Sequence, residues 1–224
     1  MWVKTAEIPQ EDGELMKVCM VNDLESLIWV ENLASLELHV PLAKAASPET
    51  PDSLVFDLDP GDQANIMECS RVALILRDLL SRLGLVSYVK TSGRKGLHVY
   101  VPLNRKEVTF EDTKTFSKVV AEIMQKHYPD LVTAKMAKQY RKGRVFINWS
   151  QNDASKTMIC VYSLRAQEKP IVSFPFEWQE LETLTSRGDQ ERLQVMHTAA
   201  VSRAKKTGDL FQEVLAREQK LPHI

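Results

Sequence analysis

An α+β fold, with a mixed or antiparallel sheet flanked by helices, is what this sequence predicts. Three observations carry it. The patterning runs strand, helix, strand, strand, helix, strand, strand, which is not the regular alternation of an all-parallel sheet. Two stretches hold apolar residues at helical spacing: Ile66, Val72, Ile75, Leu76, Leu79 and Leu83, and then Phe116, Val119, Val120, Ile123 and Met124. The apolar runs between them are short and bounded by Pro, Gly, Asn and Ser.

In chain order, Met16–Val21 reads as a strand, and a helix opens at Asp23–Ile28 with Asn22 or Asp23 as its cap. Leu36–Val40 alternates apolar and polar, the period of a half-buried strand. Residues 42–53, rich in Pro and small side chains, form a loop. Ser53–Asp59 is a strand ended by Pro60-Gly61. The long helix that follows reaches about Leu83, with Gly84 suited to its C-terminal end. Val86–Val89 is a strand, Thr91–Gly96 a turn and Leu97–Val101 the strand that leaves it. The second long helix stops before Pro129. Arg144–Trp149 reads as a strand, with Thr157–Val161 as its expected neighbour. Residues 165–175 look irregular, and 176–218 look helical and polar, with a break near Thr207-Gly208-Asp209. Residues 1–185 are read as the core domain and 186–224 as a helical segment packed on it.

The 224 residues suffice for one good core. No run approaches 18 apolar residues, so no membrane span or membrane partner is expected. No charged leader precedes an apolar stretch, and Cys19, Cys69 and Cys160 lack metal-ligand spacing. A cytoplasmic location with free thiols is the expectation. The net charge of −1 predicts no global attraction to polyanions. Local charge is another matter, because residues 135–144 hold Lys135, Lys138, Arg141, Lys142 and Arg144 with no acid among them. A solvated face is the ordinary reading of such a run; its position beside a candidate active-site strand makes a grip on nucleic acid an equal alternative.

Asp57 and Asp59 stand two apart on one strand, so both carboxylates face the same side. Two like charges so close call for cations, and a pair of divalent ions bridged by carboxylates serves in-line displacement at phosphorus. Oxygen donors suit Mg²⁺. The alternative is an edge-strand pair facing solvent beside a plain turn. Ser92-Gly93-Arg94-Lys95-Gly96 is a glycine-bracketed loop followed by His98, and its backbone amides and cations suit a polyphosphate; otherwise it is a hairpin turn. It is not a Walker loop, since neither the spacing nor a following helix is present. His39, His98 and Arg165 follow or sit on apolar strands, either as packed or surface residues or as phosphate contacts.

Together, Leu36-Glu37-Leu38-His39, Val55–Gly61, Thr91–His98, Val145–Asn152 and Lys156-Thr157 through Tyr162–Arg165 resemble the polymerase domain of ligase D, a branch of the archaeo-eukaryotic primase superfamily. The resemblance covers nearly the whole chain and weakens after about residue 185. It implies a primase-like palm that adds nucleotides, preferentially ribonucleotides, to DNA ends during double-strand break joining, on or near the nucleoid. It implies Mn²⁺ or Mg²⁺ held by Asp57, Asp59 and the position of Asn148, and a nucleoside triphosphate held by His39, Ser92, Arg94, Lys95, His98 and Arg165. DNA ends, a Ku-type protein and a DNA ligase domain or protein are the implied partners. The basic side chains of 135–144 become candidate contacts to the DNA backbone.

This sequence departs from the family pattern at Asn148, where an aspartate is expected. An amide offers one neutral oxygen and removes a negative charge, so catalysis is expected to fall sharply while binding survives; Asp153 is the conceivable substitute. Family members also begin upstream of the match to Trp2-Val3-Lys4, which implies exposed apolar surface at the front of this chain. Two other readings stand beside the polymerase. One is a binding module without turnover. The other is an unrelated phosphohydrolase or glycosyltransferase, which accounts for neither the glycine loop nor the Asn148 strand.

Overall fold

The computed structural model describes residues 2–10 and 12–222, with only the backbone of Pro9; the ends of the chain expected in the core and C-terminal segments, Met1, His223 and Ile224, lie outside the described residues. The first strands, β1 (Thr5–Pro9) and β2 (Leu15–Cys19), make an antiparallel hairpin. Helix α1 (Leu24–Asn32) follows, and the Asp23 carboxylate caps it by accepting from the Ser26 amide at 2.8 Å. β3 (His39–Pro41) is shorter than the alternation of 36–40 predicts. β4 (Ser53–Pro60) is buried along almost its whole length.

Helix α2 (Ile66–Arg82) begins with a reciprocal capping box between Asn65 and Glu68. β5 (Tyr88–Thr91) and β6 (Leu97–Pro102) lead to helix α3 (Phe110–His127), capped in the same way by Thr109 and Asp112. β7 (Val132–Thr133), β8 (Val145–Asn148), β9 (Thr157–Ile159) and β10 (Pro175–Phe176) complete the strands. Helices α4 (Trp178–Arg187) and α5 (His197–Thr207) follow, and the break at Gly208 leads to a 3₁₀ turn over Gln212–Leu215.

The main sheet has the order β10-β5-β6-β4-β8-β7, antiparallel except for the parallel pair β7–β8. This is the mixed sheet of an α+β fold. One expectation fails: β9 pairs with β3, not with β8. The edges of β8 are already taken by β4 and β7, so the chain leaving Asn148 turns away through a 3₁₀ segment at Trp149–Gln151. There the buried Asn152 side chain grips β4, accepting from the Val55 amide and donating to its carbonyl, both at 2.8 Å.

Period-two alternation divides the sheet into two faces. Leu54, Phe56 and Leu58 of β4, with Leu97, Val99 and Val101 of β6, pack under α2 and α3 in the main core. Val55 and Tyr100 point the other way, into a smaller cluster with Leu42, Met158, Phe211 and Val214. The C-terminal segment thus serves both cores, since Leu193, Val195 and Ala200 join the larger one. The polar site lies on the sheet face that carries Val55 and Tyr100. At the front of the chain Leu15, Leu24 and Leu33 are each about 60% exposed (61%, 65% and 60%). None of the helices among the described residues is long and apolar enough to cross a membrane.

Candidate active site

The registers of β5, β6, β4 and β8 place Lys90, His98, Asp57 and Asn148 directly opposite one another in a single row across four strands. Directly opposed residues share a face, so their side chains meet. Lys90 Nζ lies 3.0 Å from His98 Nδ1, His98 Nε2 3.4 Å from Asp57 Oδ1, and Asn148 Nδ2 donates to Asp57 Oδ2 at 3.3 Å. Asp57, Lys90 and His98 are buried.

Asp59 follows two residues on, opposite Phe146. Its carboxyl is pushed up to about 6, first by burial and then by the charge of Asp57, with Arg141 opposing. The Arg141 guanidinium lies over the Phe146 ring at 3.7 Å and donates to the Met136 carbonyl. Thus Arg141 of the basic run turns inward, and Arg144 is half-buried, while Lys135, Lys138 and Lys142 remain on the exposed face. The run is fastened to the end of β4 by Gly61 N–H to Arg144 O at 2.9 Å and Gly143 N–H to Asp62 O at 2.7 Å. Gly61 has to be glycine, because a Cβ would lie 1.9 Å from the Arg141 carbonyl oxygen.

The Asn148 amide is oriented by its neighbours. Asp57 can only accept, so the NH₂ faces it. Ser150 receives the Lys156 ammonium at 3.1 Å and gives its own hydrogen to Asn148 Oδ1 at 2.8 Å. The oxygen that a metal would use is therefore engaged. Asp153 is no substitute: it holds Lys114 at 2.7 Å and the Ser155 amide and hydroxyl, and these contacts draw its carboxyl down to about 2.

The loop between β5 and β6 is shaped by Ser92, whose hydroxyl accepts from the amides of Arg94 at 3.2 Å and Gly96 at 3.1 Å. Gly93 takes φ +70°, and a Cβ on Gly96 would strike the Leu58 carbonyl oxygen at 2.2 Å, so the loop rests against the β4 backbone. Lys95 stands exposed. His39, Arg94 and Arg165 converge on one carboxylate that the sequence did not single out, Glu37, at 3.3, 3.4 and 3.2 Å. Glu37 also accepts from the Ala166 amide at 2.8 Å. Burial raises the Glu37 carboxyl, but this hydrogen bond, His39 and the two arginines outweigh it and leave it lowered. The Nε of Arg165 is buried without a partner, an N–H left for a further acceptor.

Lys90 was also missed. The alternation Tyr88-Val89-Lys90 puts it inward, yet a strand lysine ordinarily reads as solvent-facing. Burial pushes it down to about 7, and burial followed by the Lys90 charge pushes His98 down to about 4. Among the described residues no three His, Cys, Asp or Glu side chains cluster as a metal set. What is present is a carboxylate pair closed on one side by an amide.

Fold and site together define a palm: a mixed sheet with paired carboxylates at the end of its central strand and a glycine loop beside them. Comparison with known proteins places that palm. The family model for the LigD primase-polymerase domain matches residues 1–211, and the chain belongs to this family. The multifunctional non-homologous end joining protein LigD of Mycobacterium bovis is 36% identical over 95% of the chain, and the bifunctional LigD of Bacillus subtilis 34% over 72%. The chain spans 28% and 26% of their respective lengths. Among solved structures, the polymerase domain of Mycobacterium tuberculosis ligase D in complex with DNA superposes with a TM-score of 0.85 at 35% identity, over 97% of this chain and 76% of that one.

Proposed function

We propose that this chain is a nucleotidyltransferase that adds nucleotides, ribonucleotides by preference, to DNA ends during double-strand break joining, with catalysis weakened at Asn148. The observation that carries the reading is the placement of Asp57 and Asp59 on one face of the central strand, beside His98 and the Ser92–Gly96 loop. The relatives are end-joining proteins, and the superposed domain was solved with DNA.

Asp57 and Asp59 would hold Mn²⁺ or Mg²⁺. The fit rests on donor chemistry: two oxygen ligands share a face, and the charge of Asp57 burdens the buried Asp59 carboxyl, a burden that a cation would relieve. Such an ion neutralises phosphate charge and orients an attacking hydroxyl. The Asn148 oxygen faces Ser150 and adds no charge, so the ligands for a second ion are one carboxylate short. Arg94, Lys95, Arg165 and His39 would meet the triphosphate, which displaces Glu37 from Arg165. His98 would donate from its ring to the nearest phosphate. Lys135, Lys138 and Lys142 would track the DNA backbone without reading sequence. A Ku-type protein and a ligase domain or protein are the partners this role requires, in the cytoplasm beside the nucleoid.

The amide on Asp57 favours a second reading, a nucleotide- and DNA-end-binding module without turnover. Primer extension with Mn²⁺ separates the two: slow addition that rises in the Asn148→Asp variant supports the weakened polymerase. Binding of labelled triphosphate with no addition in either protein supports the module.

A further inference from the structure

We infer that the ring of Tyr140 is a stacking platform for an unpaired base of a single-stranded DNA overhang, and that it gives the basic run a preference for overhangs over intact duplex. Among the described residues the exposed aromatic rings are those of Trp2, Tyr128 and Tyr140. Only Tyr140 stands in the run 135–144, among five cations and no acid. The Lys135 ammonium lies over its ring, 4.3 Å from the centroid. A cation thereby covers one face of the ring, and the other is left to a base.

The platform is built before any ligand arrives. Tyr140 ends a short 3₁₀ turn, Lys138–Tyr140, that has no buried residue and so serves neither core. Its amide donates to the Ala137 carbonyl at 3.1 Å, the Arg141 amide to the Lys138 carbonyl at 3.0 Å, and the Arg141 guanidinium to the Met136 carbonyl. Residues 136–141 thus form a closed loop, pinned from beneath by Arg141 on the Phe146 ring. The loop meets Gly61, two residues beyond Asp59, at the Arg141 backbone, which sets Tyr140 one residue from that contact. A ring held in this way loses little freedom when a base stacks on it. Every base has a π-face, so the contact is blind to sequence. Within a duplex those faces are already stacked on neighbouring pairs, so the ring separates unpaired bases from paired ones. The exposed Lys138 and Lys142 hold phosphates of either form alike, and the strand preference falls to Tyr140.

This proposal rests on the nucleotidyltransferase reading, which supplies DNA ends as the ligand. Binding is measured by anisotropy for a labelled duplex with a 3′ overhang, and by competition for a relaxed closed circular duplex, which has no ends. Tyr140→Ala is expected to weaken overhang binding by about 10-fold and to leave the circle unchanged, the effect of one lost base–aromatic stack. Tyr140→Phe is expected to match the unaltered protein on both, since the ring and not the hydroxyl is used. With 2-aminopurine placed at each overhang position in turn, one position is expected to be quenched by the unaltered and Phe proteins and to stay bright with Tyr140→Ala. Lys138→Gln is expected to weaken both DNAs together, with a shallower salt dependence. No loss in Tyr140→Ala, an equal loss on both DNAs, or a Tyr140→Phe protein as weak as Tyr140→Ala each overturns the stacking site. If the unaltered protein binds neither DNA, the nucleotidyltransferase reading falls and the stacking site with it. If it binds and extends the overhang regardless of Tyr140, the stacking site falls alone.

Discussion

Two carboxylates at opposite ends of the same buried stretch, Asp52 just before β4 and Asp59 near its end, are both pushed up to about 6, for different reasons. Asp52 is raised by burial alone, and its strongest neighbour, Lys44, pulls the other way. Asp59 is raised by burial and then by a second carboxylate, Asp57, on the same face. A carboxylate strained by burial reports a cost of the fold. One raised further by a like-charged neighbour marks a place where a cation would relieve the pair, as the proposed function requires.

The sharpest test of the comparison is substitution at each end. Asp57→Asn and Asp59→Asn are each expected to lower Mn²⁺-dependent primer extension by about 100-fold or more, while Asp52→Asn stays within about 2-fold. Equal losses at both ends would erase the distinction. Next, Asn148→Asp is expected to raise Mn²⁺-dependent extension by about 10-fold, since it restores a charged ligand. The same change turns the Asn148–Asp57 hydrogen bond into a repulsion, so Tm without metal is expected to fall by about 2–4 °C and to recover with Mn²⁺. Glu37→Gln follows: it withdraws the anion that Arg165 and Arg94 hold, and tighter triphosphate binding by about 3-fold, measured calorimetrically, is expected.

The smallest effect concerns Asp52 itself. Its folded carboxyl titrates near 6 against an ordinary 3.8, so the folded state holds the proton more tightly. Its contribution is therefore favourable below about 4 and is lost as pH rises through about 6. Asp52→Asn should raise stability by about 1 kcal/mol at pH 7, after allowance for partial solvation, with the gain vanishing near pH 4. Chemical denaturation at the two pH values reads the difference directly.

Much of this was legible along the chain. The Asp23 cap of α1, the apolar spacing of α2 and α3, and the apolar run of β4 are local signals, written within a turn or two of the residues they govern. The glycine loop and the Asp57–Asp59 spacing are equally local. What was not legible depends on pairing between distant segments. β7 and β10 are two residues each and exist only because β8 and β5 offer them an edge. β9 found β3 because β8 had no edge left.

By itself, then, the sequence determined the fold class, the central strand and which side chains on it face the same way, because periodicity and capping act over a few residues. Only the tertiary structure decided what those side chains meet. Strand register set Lys90 against His98, His98 against Asp57 and Asp57 against Asn148, across segments up to 91 positions apart. It also brought Glu37 among the cations expected to hold phosphate, turned Arg141 inward and tied Asp153 to Lys114. Such contacts come from how strands align in a sheet, and hydrogen-bond register carries no signature in the local order of residues.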